Sequence, residues 1–254
     1  MYEAAEVATI TFACIFAGAV VGMLVRPHLP GHHVSKESLD VVKVSVGMIA
    51  AMSSLVLGLM TASVKGSYDL VDRQYRIYSA RLIQLDDALR HYGPGAETAR
   101  LHLKQYVQRV VAEDFSTKAE HRTSIEDTDA GDMLDTVKED IAVLEFKTDI
   151  QHRFGAEAAR LIDEIVSLRW GLIEQAGGSI VPAFLIVLIC WITVIFVSFG
   201  MMAETNTTIV VALLLCSLSI AGALFLIVEM DMPFNGVITI SPKPLTDALQ
   251  HLNR

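Results

Sequence analysis

Between Ile180 and Val228 the chain carries two apolar runs, Ile180–Gly200 and Ile209–Val228, separated only by the short polar link Met201–Thr208. Neither contains Asp, Glu, Lys or Arg, and each has about the 20 residues that carry a helix across a hydrocarbon core roughly 30 Å thick. In hydrocarbon every peptide N–H and C=O must find its partner inside the segment, so such a run folds as a helix. The pair reads as a transmembrane hairpin, closed by Glu229-Met-Asp-Met-Pro-Phe-Asn-Gly236.

Two earlier stretches have the same character. Ala4–Val25 lacks the basic leader of a signal peptide, since Glu3 and Glu6 flank its start, and it is long enough to span. Phe12 is too bulky for a lipoprotein cleavage site ahead of Cys14, so the helix is read as retained and ended by Arg26-Pro27. Val41–Val64 follows after a polar loop, giving four spans. Of the 20 basic and 29 acidic residues, 15 and 21 lie between Lys65 and Glu174. The expected layout is therefore all-α and polytopic: spans one and two in residues 1–64, a helical bundle over 65–179, spans three and four in 180–230, and a tail from 231 to 254.

Net charge is −9, which argues against a nucleic-acid partner, because a phosphate backbone demands a basic face. The three cysteines, Cys14, Cys190 and Cys216, fall inside apolar spans. There they are expected to be small buried side chains, with neither a disulfide framework nor metal-type spacing. Basic residues set the orientation. Lys65, Arg73, Arg76, Arg81, Arg160, Arg169 and Lys243 fall on the bundle's face, against Arg26 and Lys36 in the opposite loops. This places the bundle and both termini in the cytoplasm. The acidic N-terminus and basic first loop taken alone favour the reverse.

Apolar residues in the bundle recur at helical spacing. Leu70, Ile77, Tyr78, Leu82, Leu85 and Leu89 mark a first helix, stopped by His91-Tyr-Gly-Pro-Gly95. Leu103, Val107 and Val110 mark a second, and Leu134, Val137, Ile141, Leu144 and Thr148 a third with a seven-residue repeat. A fourth begins near Gly155 and carries Ala158, Leu161, Ile162, Ile165, Leu168 and Leu172. These stripes are able to bury one another. No proline interrupts Gly155–Val181, so the fourth helix is expected to run on into the third span, loosened at Gly177-Gly178. The second span meets the first bundle helix with only Gly66 between them.

Chemistry-bearing candidates are few. Along the second span Lys43, Gly47, Ala50, Ala51, Ser54, Gly58, Thr61, Ala62 and Lys65 share one face, small or weakly polar within and cationic at both ends. In a ring of subunits that face would line a narrow pore attracting anions. In a single bundle it would be small-residue helix packing with lysines snorkelling to the interfaces. Gly18-x-x-x-Gly22 is a packing signal in the first span. Glu229 and Asp231 at the end of the fourth span would bind a cation or, more simply, mark the interface. His28, His32, His33, Glu37 and Asp40 have metal-ligand types without metal-ligand spacing. The acidic run Glu126, Asp127, Asp129, Asp132 and Asp135 lacks the order of a calcium loop; both read as solvated. No catalytic motif or phosphate loop occurs, so neither an enzyme nor a cofactor is expected.

Three clusters carry a family likeness: Leu85-Asp-Asp-Ala-Leu-Arg-His-Tyr-Gly93 with Arg100 and Tyr106; Trp191, Phe196, Ser198, Phe199 and Gly200 with Asn206; and Asp231, Pro233, Phe234 and Gly236 before Ser241-Pro242. Together they resemble the bacterial bestrophin-like membrane family, end to end. Glu204-Thr205 stands where that family's pattern has Pro-Arg. The resemblance implies four transmembrane helices around a helical cytoplasmic part, with Tyr92, Gly93, Trp191, Phe199, Gly200, Asn206, Pro233, Phe234 and Gly236 as structural positions. It brings no catalytic residues, and by analogy with bestrophins, which are oligomeric anion channels, it points to ion passage. The expected function is a homo-oligomeric channel passing small ions, anions favoured, through a pore lined by the second span and gated by the bundle. The alternative is a non-conducting membrane scaffold whose acidic bundle recruits a cytoplasmic protein.

Overall fold

A computed structural model describes residues 4–30, 35–114, 128–175, 178–203, 206–234 and 236–253. Eight α-helices follow in order: α1 (Ala4–Val25), α2 (Lys36–Tyr92), α3 (Glu97–Asp114), α4 (Thr128–Ala142), α5 (Asp149–Gln175), α6 (Pro182–Met202), α7 (Thr207–Met230) and α8 (Lys243–Leu252). The described residues contain no strand. Four helices, α1, α2, α6 and α7, are long and apolar enough to cross a membrane.

The chain divides into two compact units, one of residues 1–66 with 179–231, the other of 67–178 with 232–254. Helix α2 belongs to both. It holds 57 residues, about 85 Å at 1.5 Å per residue. No proline falls within it, and Gly66 alone does not break a helix flanked by good helix formers.

In the first unit α1 packs on α6 and α7. Its core joins Ile15 and Ala19 of α1, Val46 and Val64 of α2, Leu188, Ile192, Ile195 and Phe196 of α6, and Leu224 and Ile227 of α7. The α1–α6 crossing brings backbone onto backbone. A Cβ on Gly22 would lie 2.1 Å from the Val197 carbonyl oxygen, and one on Gly200 2.1 Å from that of Ala19. The Gly18-x-x-x-Gly22 signal is thus met by Gly200 from the other side. Arg26, just past α1, donates to the Ala203 carbonyl at the end of α6, where a cation complements the helix dipole.

The second unit is built from the remainder of α2 with α3, α4, α5 and α8. Val71, Tyr75, Tyr78, Leu82, Leu85 and Leu89 of α2 meet Leu103, Tyr106, Val107 and Val110 of α3, Leu134, Val137 and Ile141 of α4, and Leu161, Ile162, Ile165 and Leu172 of α5. Leu245 and Leu252 fasten α8 to the same core. Gly93 ends α2 with φ of 101°, a conformation that glycine adopts without a Cβ clash.

Several expectations need correction. Helix α5 does not run into the third span: it ends at Gln175, Gly178 takes φ of 81°, and residues 178–181 are non-helical before α6 begins at Pro182. Proline at the first turn is compatible with starting a helix but not with continuing one. Helix α4 stops at Ala142, so Leu144 and Thr148 lie beyond it, and α5 starts at Asp149 rather than near Gly155. Leu70 and Ile77 are exposed, the buried stripe running through Val71, Tyr75 and Tyr78. The three cysteines are exposed on their helices rather than buried, since each lies off the face its span turns to its neighbours. His32, His33, Glu126, Asp127, Glu204 and Thr205 lie outside the described residues.

Candidate functional site

Helix α2 buries one stripe within the first unit. Val46, Ser53 and Val64 are buried, with Val42, Ile49, Ala50, Val56, Leu57 and Met60 packed partly against the core. Steps of three and four residues keep these on one side of a helix. The rest of its girth is uncovered: Lys43, Gly47, Ala51, Ser54, Gly58, Thr61 and Lys65 are exposed, as are Val44, Met48, Met52, Leu55 and Leu59. Added Cβ atoms on Gly47 and Gly58 would meet nothing within 4 Å. The small face therefore has no partner helix within the described chain. Thr61 donates to the Leu57 carbonyl at 2.7 Å, which satisfies its hydroxyl in an apolar setting. Lys43 pairs with Asp40 at 2.9 Å, both more than half exposed, so the pair contributes little to stability.

Two buried hydroxyls in this unit escaped sequence reading. Thr9, Ser45, Thr61, Thr193, Ser198 and Ser217 all donate to the carbonyl four residues back. The Thr11 and Ser53 hydroxyl oxygens are buried without a hydrogen-bond partner. Residue type alone does not distinguish the two groups.

At the end of α7, Asp231 reaches the start of α6. Its Oδ1 accepts from the Ser179 backbone N–H at 2.7 Å and from the Ser179 hydroxyl at 2.8 Å, and its Oδ2 accepts from the Ile180 N–H at 3.2 Å. These donors precede α6 and have no helical partner of their own. Glu229 is buried. Among the described residues Glu229 and Asp231 do not gather a third metal-ligand side chain, and both Asp231 oxygens are engaged as a cap.

The positions carrying the family likeness hold turns and crossings. Tyr92 donates to the Glu145 carbonyl at 2.5 Å, and Asn206 caps α7 by accepting the Thr208 N–H at 2.7 Å. The Pro233 carbonyl accepts from the Ile240 N–H at 2.9 Å, Phe234 lies 6.0 Å from Tyr75 by ring centroid, and Gly236 has φ of 121°. Trp191 is half-buried and Phe199 exposed.

The second unit has a polar interior of its own. Buried Asp86 pairs with Arg100, Nε to Oδ1 at 2.9 Å, and that hydrogen bond raises the guanidinium's affinity for its proton. Asp87 pairs with Arg90 at 2.5 Å and with His251 of α8 at 3.3 Å. Asp86, Asp87 and His251 are close enough together to share a metal ion, but two arginines already balance the carboxylates. Deeper in, the Tyr78 and Tyr106 hydroxyls bond to each other. Burial pushes Tyr78 well above the ordinary tyrosine range and also raises Tyr106, while the cation of Arg169 opposes both shifts.

Four membrane-length helices and a second unit with its own core define, among the described residues, an all-helical membrane protein. A family profile described as the Bestrophin-like domain matches residues 13–245, and the chain belongs to that family. Solved structures share the fold. A bacterial bestrophin homologue from Klebsiella pneumoniae, in a single-substitution form, superposes with a TM-score of 0.68 at 10% identity over 96% of this chain and 97% of that one. A second substituted form gives 0.67 at 11% over the same shares. A further structure of the homologue, phased on zinc, gives 0.56 at 11% over 96% of each chain. No curated protein matches the sequence.

Proposed function

We propose that the protein is the subunit of a homo-oligomeric membrane channel that passes small ions, anions favoured, along the exposed small face of α2. One observation carries the reading: in a chain of this family, α2 buries one stripe and leaves Lys43, Gly47, Ala51, Ser54, Gly58, Thr61 and Lys65 uncovered. Four spans are too few to enclose a conduit, so the uncovered face meets its counterparts around a symmetry axis. The lysines at its two ends raise the local anion concentration at each mouth. The spans lie in a bacterial inner membrane with the bundle and both termini cytoplasmic, and the bundle gates through α2, which continues unbroken from span into bundle. The break at 178–181 removes the third span from that linkage.

The scaffold reading finds less support. The heptad-like seam of α4 that would recruit a cytoplasmic partner is buried, with Leu134, Val137 and Ile141 packed in the unit's own core.

The test is conduction by the purified oligomer in planar bilayers under asymmetric KCl. Reversal near the chloride potential is expected, with Lys43→Glu and Lys65→Glu moving it toward the potassium potential. Unchanged selectivity in a conducting double variant overturns the pore assignment. With the native cysteines replaced, Ser54→Cys and Thr61→Cys are expected to react with small water-soluble thiol reagents, and protection of both assigns the face to packing.

A further inference from the structure

We infer that a cleft between α2 and the start of α6 holds the acyl chain of a phospholipid. The cleft has a volume of about 310 Å³ and lies wholly within the first unit, at the lower end of the range for small-molecule sites. That suits one segment of hydrocarbon chain rather than an entire lipid. Val56, Met60 and Val64 of α2 form one wall, and Ile180 and Phe184 the other.

Its polarity is graded. Helix α2 leaves the apolar zone toward Lys65 as α6 enters it from Ser179, so Val56 and Phe184 mark the deep end. Ser63 and Ser179 line the shallow end. A phospholipid has the same order, hydrocarbon below and ester oxygens above. Water does not suit the deep end, since a buried water needs two to four polar partners and the only side-chain polar groups in the lining are the two serine hydroxyls.

The cleft cannot be closed by winding α6 further back. Residues 178–181 are non-helical and Asp231 binds the N–H groups of Ser179 and Ile180, while Pro182 has no N–H with which to extend the ladder. The gap is therefore built in, and an unfilled gap forfeits dispersion contacts along both walls. Leu59, Val181 and Phe184, which also line it, are each more than half exposed, so the cleft opens outward. At the height of an apolar span the surrounding medium is lipid. The inference needs only that α2 and α6 span a bilayer, and it stands whether or not α2 lines a pore.

The experiment uses the full chain in nanodiscs of phosphatidylcholine and phosphatidylglycerol, with a trace of phospholipid bearing a diazirine on its acyl chain. After photolysis, labelled sites are mapped by mass spectrometry. Labelling at Met60 and Phe184 is expected to exceed several-fold that at Leu215 and Leu218 of α7, which are also more than half exposed. Ser63→Trp, or Val181→Phe if the first variant does not fold, is expected to reduce cleft labelling to the α7 level and leave α7 unchanged. Equal labelling of both sites in the native protein means surrounding lipid only and overturns the proposal. Absent cleft labelling with a disulfide between copies at Ser63→Cys, in a background lacking the native cysteines, means that a second copy covers the cleft and overturns it equally.

Discussion

Asp86 shows how a single residue ties distant parts of a helical chain. It is 2% exposed and pairs with Arg100, whose side chain is 22% exposed. Asp86→Ala leaves a guanidinium partly buried beside an apolar core, a loss of about 3 kcal/mol for a buried pair. Thermal unfolding of the purified protein is expected to show that drop, and Asp86→Glu to recover part of it. Glycines at the α1–α6 crossing are equally exacting. Gly22→Ala and Gly200→Ala drive a methyl into a carbonyl oxygen at 2.1 Å, so each is expected to cost about 2–4 kcal/mol in the same assay through overpacking that backbone cannot relieve. A loss below about 0.5 kcal/mol in both would show that the helices separate freely. The sequence offered the first half of each contact: the Leu85–Gly93 cluster contained Asp86, and Gly18-x-x-x-Gly22 announced close packing. Arg100 and Gly200 were marked by the family likeness alone; that they are the partners was not legible, because how the helices cross sets the pairing and no local spacing encodes that. Leu70 was misread for a related reason, since Leu70 and Val71 are both apolar and only the neighbouring helices decide which one faces inward.

Elements differ in how much of their course the sequence dictates. The unbroken α2 was legible because no proline falls between Lys36 and Tyr92 and only three isolated glycines, Gly47, Gly58 and Gly66, weaken the helix. Gly66 has no neighbour within 4 Å of an added Cβ, so Gly66→Ala is expected to stabilise α2 by up to about 1 kcal/mol. Gly66→Pro is expected to cost about 3 kcal/mol or more and, in a channel gated through α2, to disconnect the bundle from opening. Unaltered gating in a folded Gly66→Pro variant would remove α2 from that role. The break before α6 was not legible, because Gly177-Gly178 and Pro182 are compatible with a kinked helix as well as with a cap. Asp231, 52 residues beyond Ser179, settles the matter. The α2–α3 tyrosine pair gives a pH dependence. Tyr78 and Tyr106 have raised folded-state values, so over the range in which the unfolded chain ionises, the folded state binds more protons and stability falls as pH rises. Their contribution is complete below the ordinary tyrosine value near 10 and is lost progressively above it. Denaturant titrations from pH 8 to 11 are expected to show that decline, and Tyr78→Phe to flatten it.

For the whole molecule, the question is what meets the uncovered face of α2. A Cβ added to Gly47 meets nothing within 4 Å among the described residues, so Gly47→Phe is expected to leave subunit folding intact within about 1 kcal/mol and to block current through an assembled pore. Wild-type current from a folded Gly47→Phe oligomer would move the pore elsewhere. The four spans were legible because hydrocarbon imposes a length and a composition on each. Of the candidate site the sequence marks a helix face, which is exposed in the single chain; what meets that face is not encoded in the spacing of one chain. Asp231 also bears on the order of synthesis. The donors it satisfies at Ser179 and Ile180 are made before α6, whereas Asp231 is made after α7. While the ribosome is still adding α7, the head of α6 lacks its acceptor and must stay where water reaches it. The cap ahead of α6 is thus completed only once α7 has been made, and a nascent chain halted before Asp231 is expected to leave the amides of Ser179 and Ile180 open to rapid hydrogen exchange.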